Sequence, residues 1–235
     1  KSYYLETDPN NNMGSYELGA EHSNNVLWKN IKQDVFFDAD GGVSYKGVMG
    51  TNYCKNLVFD GNFLCSFDAH CGVYNGTIKN TTIEHINFIG DGTITLEDVT
   101  IYVDPKKYAI NLRADYGSWW RGDVYMKNFT LKYDPIKTNT SKAISLFNAV
   151  WYNHDFGNTC YLPQNLHMEN VNVLGFSATV DPITKIRTES ITETNTRTIY
   201  LFTPAIYTYT DVDISDPNAS ITSNPNDWRK CDCAK

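Results

Sequence analysis

The chain has 235 residues, with 27 acidic and 20 basic side chains and a formal net charge of −7. That balance, with no Lys/Arg cluster to override it, excludes the counterion-release binding that nucleic-acid partners require, and no apolar run approaches the roughly 18 residues of a membrane span. Asn, Thr, Tyr and Gly are abundant while Leu and Ala are modest, a mixture that favours strands and turns over helices.

Lys1-Ser2-Tyr3-Tyr4 already reads as a strand, without an initiator Met or a secretory apolar segment. The chain is therefore expected to be a processed form or a piece of something longer. One phrase then recurs along it: a charged residue, then Asn or Asp, then an alternating apolar strand. It occurs as Lys29-Asn30-Ile31, Lys55-Asn56-Leu57, Lys79-Asn80-Thr81, Glu97-Asp98-Val99, Lys127-Asn128-Phe129 and Glu169-Asn170-Val171. The first three copies are about 25 residues apart, within the range of solenoid coils. Around the later copies, Ile94, Leu96, Val99 and Ile101, and likewise Val124, Met126, Phe129 and Leu131, share one face with a shift of register at the phrase. Strand, Asn corner, strand is the pattern of a coil turning between two sheets. Asn and Asp suit the corner because they tolerate left-handed backbone, and stacked amides can hydrogen-bond from coil to coil.

The expected fold is therefore all-β, a right-handed parallel β-helix with loop excursions and an irregular C-terminal part. Residues 1–176 are expected to form the coils, and 177–235 the last coil or coils, a long excursion and a cap. Asp104-Pro105-Lys106-Lys107 and the segment from Asp134 to Gln164 read as loops between coils. Asp181 to Arg197 reads as a long hairpin or excursion, and Ile206 to Ile214 as one last coil. A β-sandwich also has many short strands, but it does not call for a repeated phrase at near-constant spacing.

A second repeat carries polar residues. Phe37-Asp38-Ala39-Asp40 is echoed by Phe67-Asp68-Ala69-His70, and Asn87-Phe88-Ile89-Gly90-Asp91 and Asn111-Leu112-Arg113-Ala114-Asp115 follow. Strands of neighbouring coils lie about 4.8 Å apart, so Asp38 and Asp68 one coil apart would approach the ~5–5.5 Å of a retaining glycosidase pair. Asp68 and Asp115 two coils apart would fit the ~6.5–9.5 Å inverting range. His70 offers another proton carrier, and Arg113 could hold a uronate carboxylate. Asp68, His70, Arg113 and Asp115 are thus the candidate catalytic residues. Asp38, Asp40, Tyr116, Trp119, Trp120 and Arg121 are candidates for substrate binding. Adjacent Trp residues on a strand face opposite ways; the alternatives are an exposed indole stacking a sugar beside Arg121, or one Trp in the core and one over a loop. Outward strand faces commonly carry Asp and Arg without any chemistry. Asp38-x-Asp40-Gly41-Gly42 can equally be a plain turn or half of a Ca²⁺ site. No cofactor is otherwise called for.

Cysteines at 54, 65, 71, 160, 231 and 233 lack zinc-ligand spacing, leaving buried thiols or one or two disulfides open. His22, Trp28, His85, Trp151, His154, His167 and Trp228 show no partner pattern and read as structural.

Met49 to Asp60, Phe67 to Asn80 and Ile110 to Ser118 together resemble pectate-lyase-like β-helix proteins, of the kind found among bacterial secreted proteins and phage tail appendages. The likeness spans roughly residues 15–135. It implies the β-helix, an extracellular or virion-surface location and a polysaccharide partner, bound and cleaved by a lyase or glycoside hydrolase. For an appendage it implies a homo-trimer, with non-catalytic glycan binding or a structural shaft as the alternatives. The acidic Ca²⁺-binding cluster of the pectate lyases has no clear copy here.

Overall fold

The computed structural model describes residues 18–32, 36–37, 43–44, 49–69, 72–103, 109–112, 120–135, 144–148, 163–184, 186–195 and 199–202. Among them there are fifteen strands and no helix. The first five are β1 (Leu18–Glu21), β2 (Leu27–Lys29), β3 (Phe36–Phe37), β4 (Val43–Ser44) and β5 (Met49–Asn52). The next five are β6 (Cys54–Asp60), β7 (Phe63–Ala69), β8 (Val73–Phe88), β9 (Gly90–Val103) and β10 (Ile110–Leu112). The last five are β11 (Trp120–Tyr133), β12 (Ile144–Asn148), β13 (Asn165–Val180), β14 (Arg187–Thr194) and β15 (Ile199–Phe202). Thirteen belong to one network, in which every pairing is parallel except that of β13 with β14.

The long strands are bent at corners, and the two halves of a strand run in different ladders. The first half of β8 pairs with β6 and its second half with β7, while both halves of β9 pair with β8. The strands therefore sort into three parallel ladders. The first runs through Leu27–Lys29, Leu57–Asp60, Gly76–Lys79, Ile94–Glu97, Val124–Lys127 and Leu166–Glu169. The second contains Thr82, Thr100, Thr130 and Asn172 in register. The third joins β1, β5, β7, the end of β8, β10, β12 and β15.

Every Asn or Asp of the recurring phrase (Asn30, Asn56, Asn80, Asp98, Asn128 and Asn170) has positive φ, between 50° and 55°. A left-handed residue costs most side chains about 1–2 kcal/mol, and Asn and Asp tolerate it by bonding locally. Each such corner exposes two consecutive residues and moves the buried set from one parity to the other. Ile94, Leu96, Val99 and Ile101 are all buried, as are Val124, Met126, Phe129 and Leu131.

The copies do not form a single line, however. Asn56 belongs to the corner before the first ladder, with Asn25 and Asn75, whereas Asn80, Asp98, Asn128 and Asn170 belong to the corner after it. Gly61, at φ 69°, takes the position after Asp60 there; a Cβ on it would meet Asn30 Oδ1 at 2.6 Å. True neighbours are separated by 31 and 19 residues along one line and by 30 and 42 along the other. The near-constant spacing of 25 arose from mixing the two.

The ladders enclose one apolar core. Through it runs a chain of edge-on aromatic contacts: Trp28 on Phe59, Phe59 on Phe67, Phe67 on Phe88 and Phe88 on Trp120, with centroids 4.7–5.6 Å apart. Offset or edge-on geometry suits the ring quadrupoles and adds about 0.5–1.5 kcal/mol per pair beyond burial. Cys54 is a free thiol buried in the same core.

Three other expectations meet the structure. Part of the segment expected as a loop from Asp134 to Gln164 is strand β12, paired with β10 and β15. The segment expected as a long hairpin or excursion over 181–197 supplies the second strand, β14, of an antiparallel pair whose first strand is the end of β13, Leu174–Val180. Parallel pairing resumes at Ile199–Phe202, whereas Ile206 to Ile214 lies outside the described residues.

Candidate functional site

On the third ladder Phe67, Ile86, Ile110 and Phe147 are in register and fully buried in the core. Side chains alternate along a strand, so the next position turns to the other face. There Gly50, Asp68, Asn87 and Asn111 stand in register. Asn111 donates its side-chain amide to Asn87 Oδ1 at 2.9 Å. Asp68 is only 8% exposed, although its flanking residues Phe67 and Ala69 are the ones committed to the core. The row offers one carboxylate and a run of amides, each amide both donor and acceptor. It can bind a polyhydroxylated ligand through paired hydrogen bonds.

The chain order sets this ladder apart. In chain order, residues 33–48, 104–109 and 134–143 precede its strands, and 113–119 and 149–164 follow them. The two corners of the first ladder, by contrast, are tight turns.

The row bears on one of the expected carboxylate pairs. Asp68 has Gly50, not Asp38, as its neighbour on the preceding rung. Phe36–Phe37 instead forms a separate antiparallel pair with Val43–Ser44, so the Phe37-Asp38 echo of Phe67-Asp68 is not a repeat of the same structural position. Two rungs beyond Asp68 stands Asn111, four residues before Asp115 in the chain. Asp38, Asp40, His70, Arg113, Asp115, Tyr116 and Trp119 lie outside the described residues.

Trp120 and Arg121 are the two expected substrate-binding residues that the structure describes. Trp120 is 0% exposed, packed edge-on against Phe88, and is the core member of the Trp pair. Its Nε1 has no hydrogen-bond partner among the described residues. Arg121 is tied through both Nε and Nη2 to Asp91, its register partner, with Nε at 2.8 Å from Oδ2. The indole is buried in the core, whereas the ion-paired guanidinium stays about half exposed.

Register also builds features that sequence spacing hid. Lys29, Asp60, Lys79, Glu97, Lys127 and Glu169 form one row of alternating charge along the first ladder. Asp60 lies 3.4 Å from Lys29 and 3.9 Å from Lys79, and Lys127 lies 3.2 Å from Glu169. The Asn80 amide, 2.9 Å away, leads the interactions holding the Asp60 carboxyl below its usual range; desolvation opposes it and the two lysines add to it. The recurrent charged residue of the phrase was a signal for this row, but Lys55 is out of phase and Asp60 takes its place.

Beside that row, Tyr125 stacks on His167 at 4.3 Å and 5°, both exposed to solvent. On the second ladder Glu189, from β14, accepts hydrogen bonds from Tyr102 and Lys132 and pairs with Arg187 at 2.9 Å. Burial, then the Glu189 charge, pushes the Tyr102 hydroxyl above its usual pKa. For Lys132 burial works downward, but Tyr102 and Glu189 outweigh it and raise the pKa. This cluster pins the hairpin across the outer side of the second ladder.

Among the described residues no group of three His, Cys, Asp or Glu side chains could hold a metal ion. No family model, curated protein or solved structure matches the chain.

Proposed function

We propose that the parallel ladders wind as a right-handed β-helix of the pectate-lyase-like kind, and that the chain binds an acidic or cell-surface polysaccharide along the third ladder. The observation that carries this reading is the row Asp68–Asn87–Asn111, held in register on the face of one ladder turned away from the core. An extended glycan repeats its hydroxyls along its length, and a ladder repeats its side chains about every 4.8 Å. Two lines of left-handed corners enclosing a single core support the winding.

His70 follows Asp68 by two residues, and Arg113 follows Asn111 by two. In this reading Arg113 meets a uronate carboxylate, and Asp68 with His70 supplies proton transfer. The test is incubation of the chain with acidic and bacterial-surface polysaccharides. Unsaturated products absorbing in the near ultraviolet identify a lyase, and new reducing ends a hydrolase. Turnover that persists in both Asp68→Asn and His70→Ala would exclude this site from the chemistry. Glycan retention without either product assigns the row to recognition alone.

A further inference from the structure

The first ladder carries an aromatic step on its outward face, apart from the Asp68 row. Leu27, Val58, Thr77, Thr95, Tyr125 and His167 occupy successive rungs of one outward row. The row changes character between Thr95 and Tyr125, from short side chains to large rings. Tyr125 and His167 lie parallel within 5° across adjacent rungs, so their planes stand across the ladder direction. His167 covers one face of the Tyr125 ring, and the other face looks along the ladder over the short side chain of Thr95. The result is a step with a phenol ring as its riser and threonines as its tread. Tyr125 is 41% exposed despite the stack. The surface is concave here, lined by Thr95, Glu97, Tyr125, Lys127, His167 and Glu169.

The electrostatics select the ligand. Lys79 faces Glu97 in register, and Lys127 stands between Glu97 and Glu169. Each charge has an opposite neighbour, so the step has no net positive charge to attract a polyanion. The groups still offer donors and acceptors, because Lys127 and Glu169 are both more than half exposed. A flat apolar face bordered by hydrogen-bonding groups of both kinds fits a neutral pyranose, its C–H face on Tyr125 and its hydroxyls toward Lys127 and Glu97. We propose that this step binds a neutral sugar unit of a glycan, independently of the Asp68 row and whether or not that row handles polysaccharide.

The test is titration of the intact chain with cellohexaose, maltohexaose, chitohexaose and, as the charged comparison, hexagalacturonate, followed by calorimetry and ligand-observed NMR. At least one neutral hexamer is expected to bind. Its Kd should rise about tenfold or more in Tyr125→Ala, a loss of the size expected for one aromatic contact and its burial, and rise in His167→Ala. Tyr125→Phe and Asp68→Asn should retain binding. Both alanine positions are exposed, and an unchanged unfolding midpoint would separate lost binding from lost structure. The proposal is overturned if no neutral hexamer binds, or if binding is indifferent to Tyr125→Ala. Neutral binding lost with Asp68→Asn but not with Tyr125→Ala would also overturn it while leaving the Asp68 row intact.

Discussion

Asn128 donates its side-chain amide to the carboxylate of Asp98 at 2.9 Å, and the two residues hold left-handed backbone at φ 50° and 55°. Each is thus the turn of its own rung and a hydrogen-bond partner for the next; Asn170 continues the line at 2.8 Å from Asn128. Replacing Asn128 by Ala removes the ladder bonds and forces a less tolerant residue into that backbone. Chemical denaturation should show a loss of about 1–3 kcal/mol. Asn128→Gly should lose less, because glycine accepts positive φ and only the side-chain bonds are missing. Equal losses would mean that the backbone conformation contributes nothing.

Gly122 tests the close approach of adjacent rungs. At φ 143° it lies against Gly92, and a Cβ built on it would meet the Gly92 carbonyl oxygen at 2.0 Å. The obstacle is backbone, so no side chain can move aside. Gly122→Ala should cost about 3 kcal/mol or more, by strain and disruption of the ladder. Thermal unfolding would show it as a large fall in midpoint, and a change within error would refute the packing.

Asp60 gives the acid limb of stability a defined contributor. Its folded pKa lies below the ordinary 3.8, chiefly through the Asn80 amide and further through Lys29 and Lys79. The unfolded state therefore takes up the proton first as pH falls. The contribution is fully present above the unfolded pKa and fades as pH drops below about 4 toward the lowered folded value. Denaturation midpoints measured from pH 6 downward should fall less steeply for Asp60→Asn than for the wild type. Parallel curves would deny Asp60 this role.

Glu189 joins Tyr102, Lys132 and Arg187 at the place where the β13–β14 hairpin crosses the second ladder. Glu189→Gln keeps the size but weakens the charged hydrogen bonds. Amide exchange over Arg187–Thr194 should accelerate about tenfold, while β8, β9 and β11 keep their protection. Equal acceleration in all of them would show that the hairpin and the core open together.

The corners were legible because left-handed backbone selects few residue types, so Asn30, Asn80 and Asn128 mark their own geometry. The core faces around Asp98 and Asn128 were legible because one corner shifts the alternation once. Register was not. Rungs differ in length, so Asp60, rather than Lys55, neighbours Lys29 and Lys79, and His167 lies 42 residues beyond the Tyr125 it stacks on, with no local sign of the pairing. Trp120 misled for a similar reason. Two adjacent indoles show that one faces out, but only the contact with Phe88 decides which.

The most direct measurement is a glycan array probed with the wild-type chain and with the Asn87→Ala/Asn111→Ala double variant, followed by titration of each glycan retained. The wild type should retain acidic or cell-surface glycans, and the double variant should bind them about tenfold or more weakly. No glycan retained, or equal Kd values for the wild type and the double variant, would contradict a polysaccharide site on the third ladder.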